Sequence, residues 1–149
     1  MATWKQFEDE APDLAALIRA RFEAAETHVL ATLRKDGSPR VSGSEVAFLG
    51  PDLSFGSMPG ARKAHDLQRD RRCAIHAHPS TGGDAKVAGI AVEVTGKERS
   101  AYVTGSEPPG DAHAFRLDLR EAVVTSVEDD ELVIRLWRPG HPAQTFRRR

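Results

Sequence analysis

The fold is decided by residues 53–72, which read LSFGSMPGARKAHDLQRDRR. Residues 53–57 have the composition of a strand, and Pro59 and Gly60 end it, because proline cannot donate to a ladder and glycine favours turns. Residues 61–69 then predict a short helix from the spacing of their apolar side chains. The segment is therefore predicted to form a strand, a tight turn and a helix.

Two adjacent cations, Arg62 and Lys63, stand at the start of this helix. Cations in that position oppose the helix dipole, which costs about 0.3–1 kcal/mol for each. A bound anion would reverse the balance, since the N–H groups of the helix start and both side chains would converge on it. The residues alone leave two interpretations open: a phosphate site, or a solvated helix with two incidental cations.

The chain on either side of this unit is predicted to be mostly strands. A helix beginning near Pro12 comes first, and strands over 28–34 and 40–48 then form a hairpin around a turn at 35–39. After the second helix, the alternation of apolar residues predicts strands over 72–78, 86–96, 114–127 and 132–138. The stretch 96–111 is expected to be irregular, with a loop at 105–110. Hairpins imply antiparallel pairing, and closure into a barrel would remove exposed edges.

Length and composition limit the class of protein. The 149 residues suit a single domain that buries a core without metal or disulfide cross-links. A net charge of -1 supplies no field that would attract nucleic acid. The single cysteine, Cys73, excludes an internal disulfide, and neither a signal peptide nor an apolar run of membrane-spanning length is recognisable. We therefore expect a cytoplasmic protein with no nucleic-acid or membrane partner.

Two motifs together resemble the pyridoxamine 5'-phosphate oxidase-like superfamily. They read ATLRKDGSPRVS at residues 31–42 and SMPGARKAHDLQRDRRCAI at residues 57–75. The resemblance covers about residues 28–78, with weaker support from DAKVAGIAVEV at 84–94 and LVIRLWRPG at 132–140. It implies a mainly β, antiparallel split β-barrel with two or more short helices. In this superfamily such barrels form homodimers whose interface holds two flavin-type cofactors.

The same resemblance implies one FMN-binding domain over residues 1–149 and eight cofactor-binding residues. The ring system would be lined by Arg40, Val41 and Ser42, and the phosphate would be bordered by Ser57 and Met58. The phosphate would be bound by Arg62 and Lys63, and the partner's cofactor would be approached by Trp137. No catalytic residue is predicted, because in flavin enzymes the cofactor carries hydride transfer and the protein supplies position and electrostatics. No metal site is expected, since His76 and His78 lack a third ligand at a recognisable spacing.

The expected function is that of an FMN-dependent oxidoreductase acting on a small organic substrate. The superfamily also contains users of the deazaflavin coenzyme F-420, and the sequence leaves the choice of ring open. The chain lacks the extended C-terminal segment with an Arg/His pair that grips pyridoxal phosphate in true pyridoxamine phosphate oxidases, which argues against vitamin B6 oxidation. A flavin- or haem-binding protein without turnover, serving storage or sensing, is the alternative from another class.

Overall fold

Antiparallel strands dominate the computed structural model, which describes residues 1–102 and 112–149. The predicted loop at 105–110 lies outside these residues. In chain order the elements are α1 (Trp4–Glu10), α2 (Pro12–Glu23), β1 (His28–Leu33), β2 (Pro39–Ser44), β3 (Val46–Leu49), β4 (Asp52–Ser57), α3 (Arg62–Arg69), β5 (Arg72–His76), β6 (Asp84–Val94), a 3-10 helix (Gly96–Tyr102), β7 (His113–Glu128), β8 (Glu131–Trp137) and β9 (Gln144–Arg148).

The strands pair in the order β2-β1-β5-β6-β7-β4-β3, and β8 and β9 extend the sheet from the far half of β7. The predicted single strand over 40–48 is wrong, because the chain there forms two strands with Glu45 between them. Strand β2 pairs with β1 and β3 pairs with β4, so one residue carries the chain from one end of this path to the other. A mainly β, antiparallel architecture with short helices is confirmed.

The N-terminal helices cover one side of the core. Helix α2 begins at Pro12 as predicted, whereas α1 was not predicted. Thr3 caps α1, because its hydroxyl accepts a hydrogen bond from the backbone N–H of Gln6 at 3.1 Å. Phe7 of α1 stacks on Trp137 of β8 with ring centroids 4.5 Å apart, and both side chains are fully buried. This contact ties the first and last parts of the described chain together.

Small apolar side chains line up on the outer face of four neighbouring strands. The register places Val41 opposite Ala31, Ala31 opposite Ala74, and Ala74 opposite Ala88. We call these four residues the outer apolar strip. The three alanines are half-buried, while Val41 is 70% exposed. The strip is therefore an apolar surface that the described chain leaves partly open.

No helix among the described residues is both long enough and apolar enough to cross a membrane.

Candidate functional site

A cavity of about 560 Å³ opens between the ends of β2, β3 and β4 and the start of α3. That volume lies in the range of small-molecule and cofactor sites. Its wall also includes residues that precede β1, close the 3-10 helix and begin β7. The lining residues are Thr27, Gly43, Ser44, Glu45, Val46, Ala47, Ser54, Phe55, Gly56, Ser57, Met58, Lys63, Arg99, Tyr102, Ala112, His113 and Ala114.

Lys63 brings a positive charge to this cavity. Its Nζ donates a hydrogen bond to the carbonyl oxygen of Gly43 at 2.8 Å. Burial lowers the pKa of the Lys63 ammonium, because the charged form has lost part of its hydration. The described ion pairs of α3 go through Asp66, and the next pair along the chain joins Asp70 to Arg72. None of them involves Lys63 or its exposed neighbour Arg62. The first turn of α3 thus carries two cations without a described carboxylate partner.

One turn further along α3, a buried carboxylate gathers cations around it. Asp66 Oδ2 accepts hydrogen bonds from Arg40 Nε at 2.7 Å and from the Thr32 hydroxyl at 2.8 Å, and Arg69 Nη2 lies 3.1 Å from Oδ1. Burial alone would raise the pKa of Asp66, but these three donors together hold it below its usual value. We call these four residues the Asp66 cluster. It fastens α3 to strands β1 and β2.

The structure brings three of the eight predicted site residues to the cavity wall, namely Ser57, Met58 and Lys63. Ser57 is buried and its hydroxyl donates to the backbone carbonyl of Met58 at 3.0 Å. The side chain of Met58 is 63% exposed. Arg62 is exposed at the helix start, next in sequence to Lys63. The predicted phosphate-binding and phosphate-bordering residues therefore occupy one region.

The other predicted residues do not line this cavity. Arg40 belongs to the Asp66 cluster, Val41 lies on the outer apolar strip, and Ser42, the next residue of β2, is half-buried. Trp137 lies in the core, where its ring has no exposed surface and its Nε1 donates to Glu10 Oε1 at 3.3 Å. The cavity wall on β2 is formed by the next residues, Gly43 and Ser44.

His113 lines the cavity and was not predicted. Its Nδ1 lies 3.2 Å from Glu93 Oε2, and its Nε2 accepts the backbone N–H of Gly60 at 3.3 Å. The other oxygen of Glu93 accepts a hydrogen bond from Gln68 Nε2 at 2.8 Å. A neutral imidazole whose Nε2 accepts a hydrogen bond carries its proton on Nδ1, and that Nδ1–H then donates to the Glu93 carboxylate. The imidazole is therefore held between Glu93 and the turn that precedes α3.

Tyr102 and Arg99 of the 3-10 helix also line the cavity. The Tyr102 hydroxyl donates to Asp52 Oδ2 at 2.8 Å, and Arg99 donates to the carbonyl oxygen of Ala112. Burial, together with the neighbouring Asp52 carboxylate, raises the pKa of Tyr102. These residues fall in a stretch that was predicted only as irregular chain, so periodicity gave no signal for them. The wall thus combines a neutral donor, the Tyr102 hydroxyl, and a cationic donor, the Arg99 guanidinium, with apolar surface.

The described chain is thus a mainly antiparallel β protein with a cavity at a strand–turn–helix junction. The family model described as pyridoxamine 5'-phosphate oxidase matches residues 14–141. The chain belongs to this family, which confirms the resemblance drawn from the two motifs.

Solved structures of low sequence identity share the fold. A pyridoxamine 5'-phosphate oxidase-related, FMN binding protein from Nostoc punctiforme is 14% identical, with a TM-score of 0.66 over 100% of this chain and 98% of that chain. PhzG from Burkholderia lata, solved with tetrahydrophenazine-1-carboxylic acid, is 16% identical, with a TM-score of 0.62 over 93% and 89%. A heme binding protein from Mycobacterium smegmatis is 21% identical, with a TM-score of 0.55 over 88% and 57%. Among proteins of curated function, none matches the sequence significantly.

Proposed function

We propose that this protein binds FMN through its phosphate at the described cavity and acts as a cytoplasmic oxidoreductase on a small organic substrate. The observation that supports this most directly is Lys63, a partly desolvated cation on the cavity wall whose described hydrogen bond goes to a carbonyl oxygen. A phosphate there would gain a charge-assisted hydrogen bond from Lys63 and would lie at the positive end of the α3 dipole. Exposed Arg62 could join it with a bidentate contact.

The residues on the wall suit a flavin ring beside the phosphate. Gly43 and Ser44 offer a strand backbone with little side-chain bulk, and Phe55 and Val46 supply apolar surface. When bound, FMN supplies the hydride chemistry, and the chain supplies position, exclusion of water and charge. The FMN-binding description of the Nostoc punctiforme relative supports the same choice of cofactor.

We propose further that two copies form the working unit. The outer apolar strip ends at Val41, two residues from Gly43 on the cavity wall, so a second copy seated on the strip would border the cavity. Covering such a strip removes apolar surface from water. We expect a C2 dimer that buries roughly 2,000 Å² or more, as obligate dimers do. A monomer in light scattering at micromolar concentration, with cofactor still bound, would refute the dimer.

The test of the phosphate site is a titration of FMN and of riboflavin into wild type, Lys63→Ala and Arg62→Ala at matched ionic strength. Each substitution should weaken FMN binding by about 1.5–3 kcal/mol, the contribution of a hydrogen bond to a charged group. Riboflavin lacks the phosphate and should lose little affinity in either variant. Equal losses for both ligands would show that these cations do not bind the phosphate.

Two alternatives are separated by the purified protein itself. A yellow protein supports FMN, and a colourless protein that takes up added deazaflavin supports coenzyme F-420. Haem binding without turnover is favoured by the heme-binding relative and by His113 and Tyr102 on the wall, since haem iron takes histidine and tyrosine as ligands. A Soret band would support it. Reoxidation of a reduced bound cofactor by a substrate distinguishes an enzyme from a binding protein.

A further inference from the structure

We propose that His113 is a proton-linked positioning residue for the anion bound at this cavity, an inference that rests on the phosphate site proposed above. The imidazole stands between two partners that respond to its charge in opposite ways. Glu93 Oε2, 3.2 Å from Nδ1, favours the protonated ring, whereas the Gly60 N–H, 3.3 Å from Nε2, requires an unprotonated nitrogen as its acceptor. The two contacts make the turn before α3 sensitive to one proton.

Protonation of His113 changes what the cavity offers an anion. Once Nε2 carries a proton it no longer accepts from Gly60, so this backbone N–H is released from its partner. The imidazolium also adds a third cation to a wall that already holds Lys63 and Arg99. Both changes favour a phosphate, which accepts from backbone N–H groups and from cations. Anion binding should therefore take up a proton on His113.

The remaining charges around the ring set the balance. On the cavity wall the titratable or charged side chains are Glu45 between β2 and β3, Lys63 of α3, and Arg99 and Tyr102 of the 3-10 helix. Lys63 and Arg99 disfavour a third cation, whereas Glu93 stabilises it by direct contact. An anion among these cations removes their repulsion, so ligand binding and protonation reinforce each other.

Helix α3 reinforces this arrangement through Glu93. The carboxylate is held by Gln68 Nε2 at 2.8 Å, and Gln68 lies on the helix whose first turn carries Lys63. The hydrogen bonds thus connect Gln68 of α3 to Glu93 of β6, and Glu93 to His113 of β7. His113 in turn contacts the turn that precedes α3. Glu93 keeps its orientation when His113 changes charge, because a second donor holds its other oxygen.

The first experiment measures the affinity ratio of FMN to riboflavin at about pH 5.5 and about pH 8, where histidines commonly differ in charge. The variants are His113→Gln, whose amide can still accept from Gly60 but stays neutral, and His65→Gln, an exposed histidine of α3 off the cavity wall. At the lower pH the wild-type ratio should exceed that of His113→Gln about tenfold, the size of one charge-assisted contact. At the higher pH the two should agree. His65→Gln should follow wild type throughout. Titration of the FMN phosphate itself is common to all proteins and cancels.

A second experiment needs no flavin. In an NMR titration of the free protein, the Gly60 amide should shift with the same midpoint as the His113 imidazole, and His113→Gln should abolish that shift. Added inorganic sulfate should raise the midpoint of His113 in wild type. A Gly60 amide that ignores the imidazole, or a midpoint unmoved by sulfate, would overturn the proposal.

The two levels of proposal fail differently. If wild type prefers FMN over riboflavin strongly but to the same extent as His113→Gln at both pH values, the phosphate site stands and the role of His113 is refuted. If wild type shows no preference for FMN at either pH and sulfate leaves His113 unmoved, both are refuted.

Discussion

Helix α3 presents charge to the sheet in two places that differ in one respect. In the Asp66 cluster, Arg40 and Arg69 meet a buried carboxylate and a hydroxyl. At the first turn, Arg62 and Lys63 have no described carboxylate, and Lys63 reaches a carbonyl instead. Both places lie along one helix, so the difference separates cations that hold the fold together from cations available to a ligand.

The largest effect should come from Asp66→Asn. This change leaves Arg40 beside a neutral group. We expect a loss of about 2–4 kcal/mol in the free energy of unfolding, less than the ~3–5 kcal/mol of a fully buried pair because Arg40 and Arg69 are partly solvated. The variant should still bind FMN more tightly than riboflavin. Urea denaturation measures the loss. Asp70→Asn is the matched control, because Asp70 pairs with exposed Arg72 and should change stability little.

Acid provides a check on the same cluster. The folded-state pKa of Asp66 lies below its usual value of 3.8, so its contribution to stability is present above that value and is lost as the pH falls through the lower, folded-state pKa. The stability difference between wild type and Asp66→Asn should therefore shrink below about pH 3.8. A difference that stays constant down to acid unfolding would mean that packing, and not charge, accounts for the loss.

An intermediate effect is expected where the first turn of α3 meets the sheet. Gly43 accepts from Lys63 and has an ordinary strand conformation, so Gly43→Trp should fold yet fill the cavity. We expect cofactor affinity to fall at least about tenfold with stability nearly unchanged. Gly43→Ala is the graded control, because its Cβ would lie 3.3 Å from Thr27 Cγ2 and leave the cavity open. Unchanged affinity in a folded Gly43→Trp protein would place the ring elsewhere.

The smallest effect should be that of Lys63→Ala on the free protein. The change removes a cation opposed to the helix dipole but also its hydrogen bond to Gly43, and these terms have opposite signs. Thermal unfolding without ligand should therefore show a change below about 1 kcal/mol in either direction. A large loss would assign Lys63 to the structural group of cations with Arg40, and the comparison along α3 would fail.

The fold was predictable where apolar periodicity and turn residues coincide. Helix α2, the hairpin around residues 35–39, and the strand–turn–helix unit at 53–69 all carry both signals. The break at Glu45 has neither glycine nor proline, and only the pairing partners of β2 and β3 show it. Strand β9 was missed because all of its residues are exposed and leave no pattern. Helix α1 did carry a signal, the Thr3 cap followed by Trp4 and Phe7.

The site was predictable where neighbours in sequence act together, as Ser57, Met58 and Lys63 do. The contact of Arg40 with Asp66 spans 26 positions, and that of His113 with Gly60 spans 53. Such contacts depend on how the strands are ordered in the sheet, which a single sequence does not display. Long-range polar contacts are thus the part of the site that required the structure.

The lone residue between β2 and β3 has a consequence for how this architecture can change. Glu45 joins β2, which pairs with β1, to β3, which pairs with β4. Inserting residues at Glu45 would therefore widen the cavity without breaking a backbone hydrogen bond of either strand pair. Insertions inside β2 or β3 would instead shift the register and turn every following side chain to the opposite face. Related proteins with this fold can therefore come to accept ligands of different size through the length of one short link, while the rest of the sheet stays as it is.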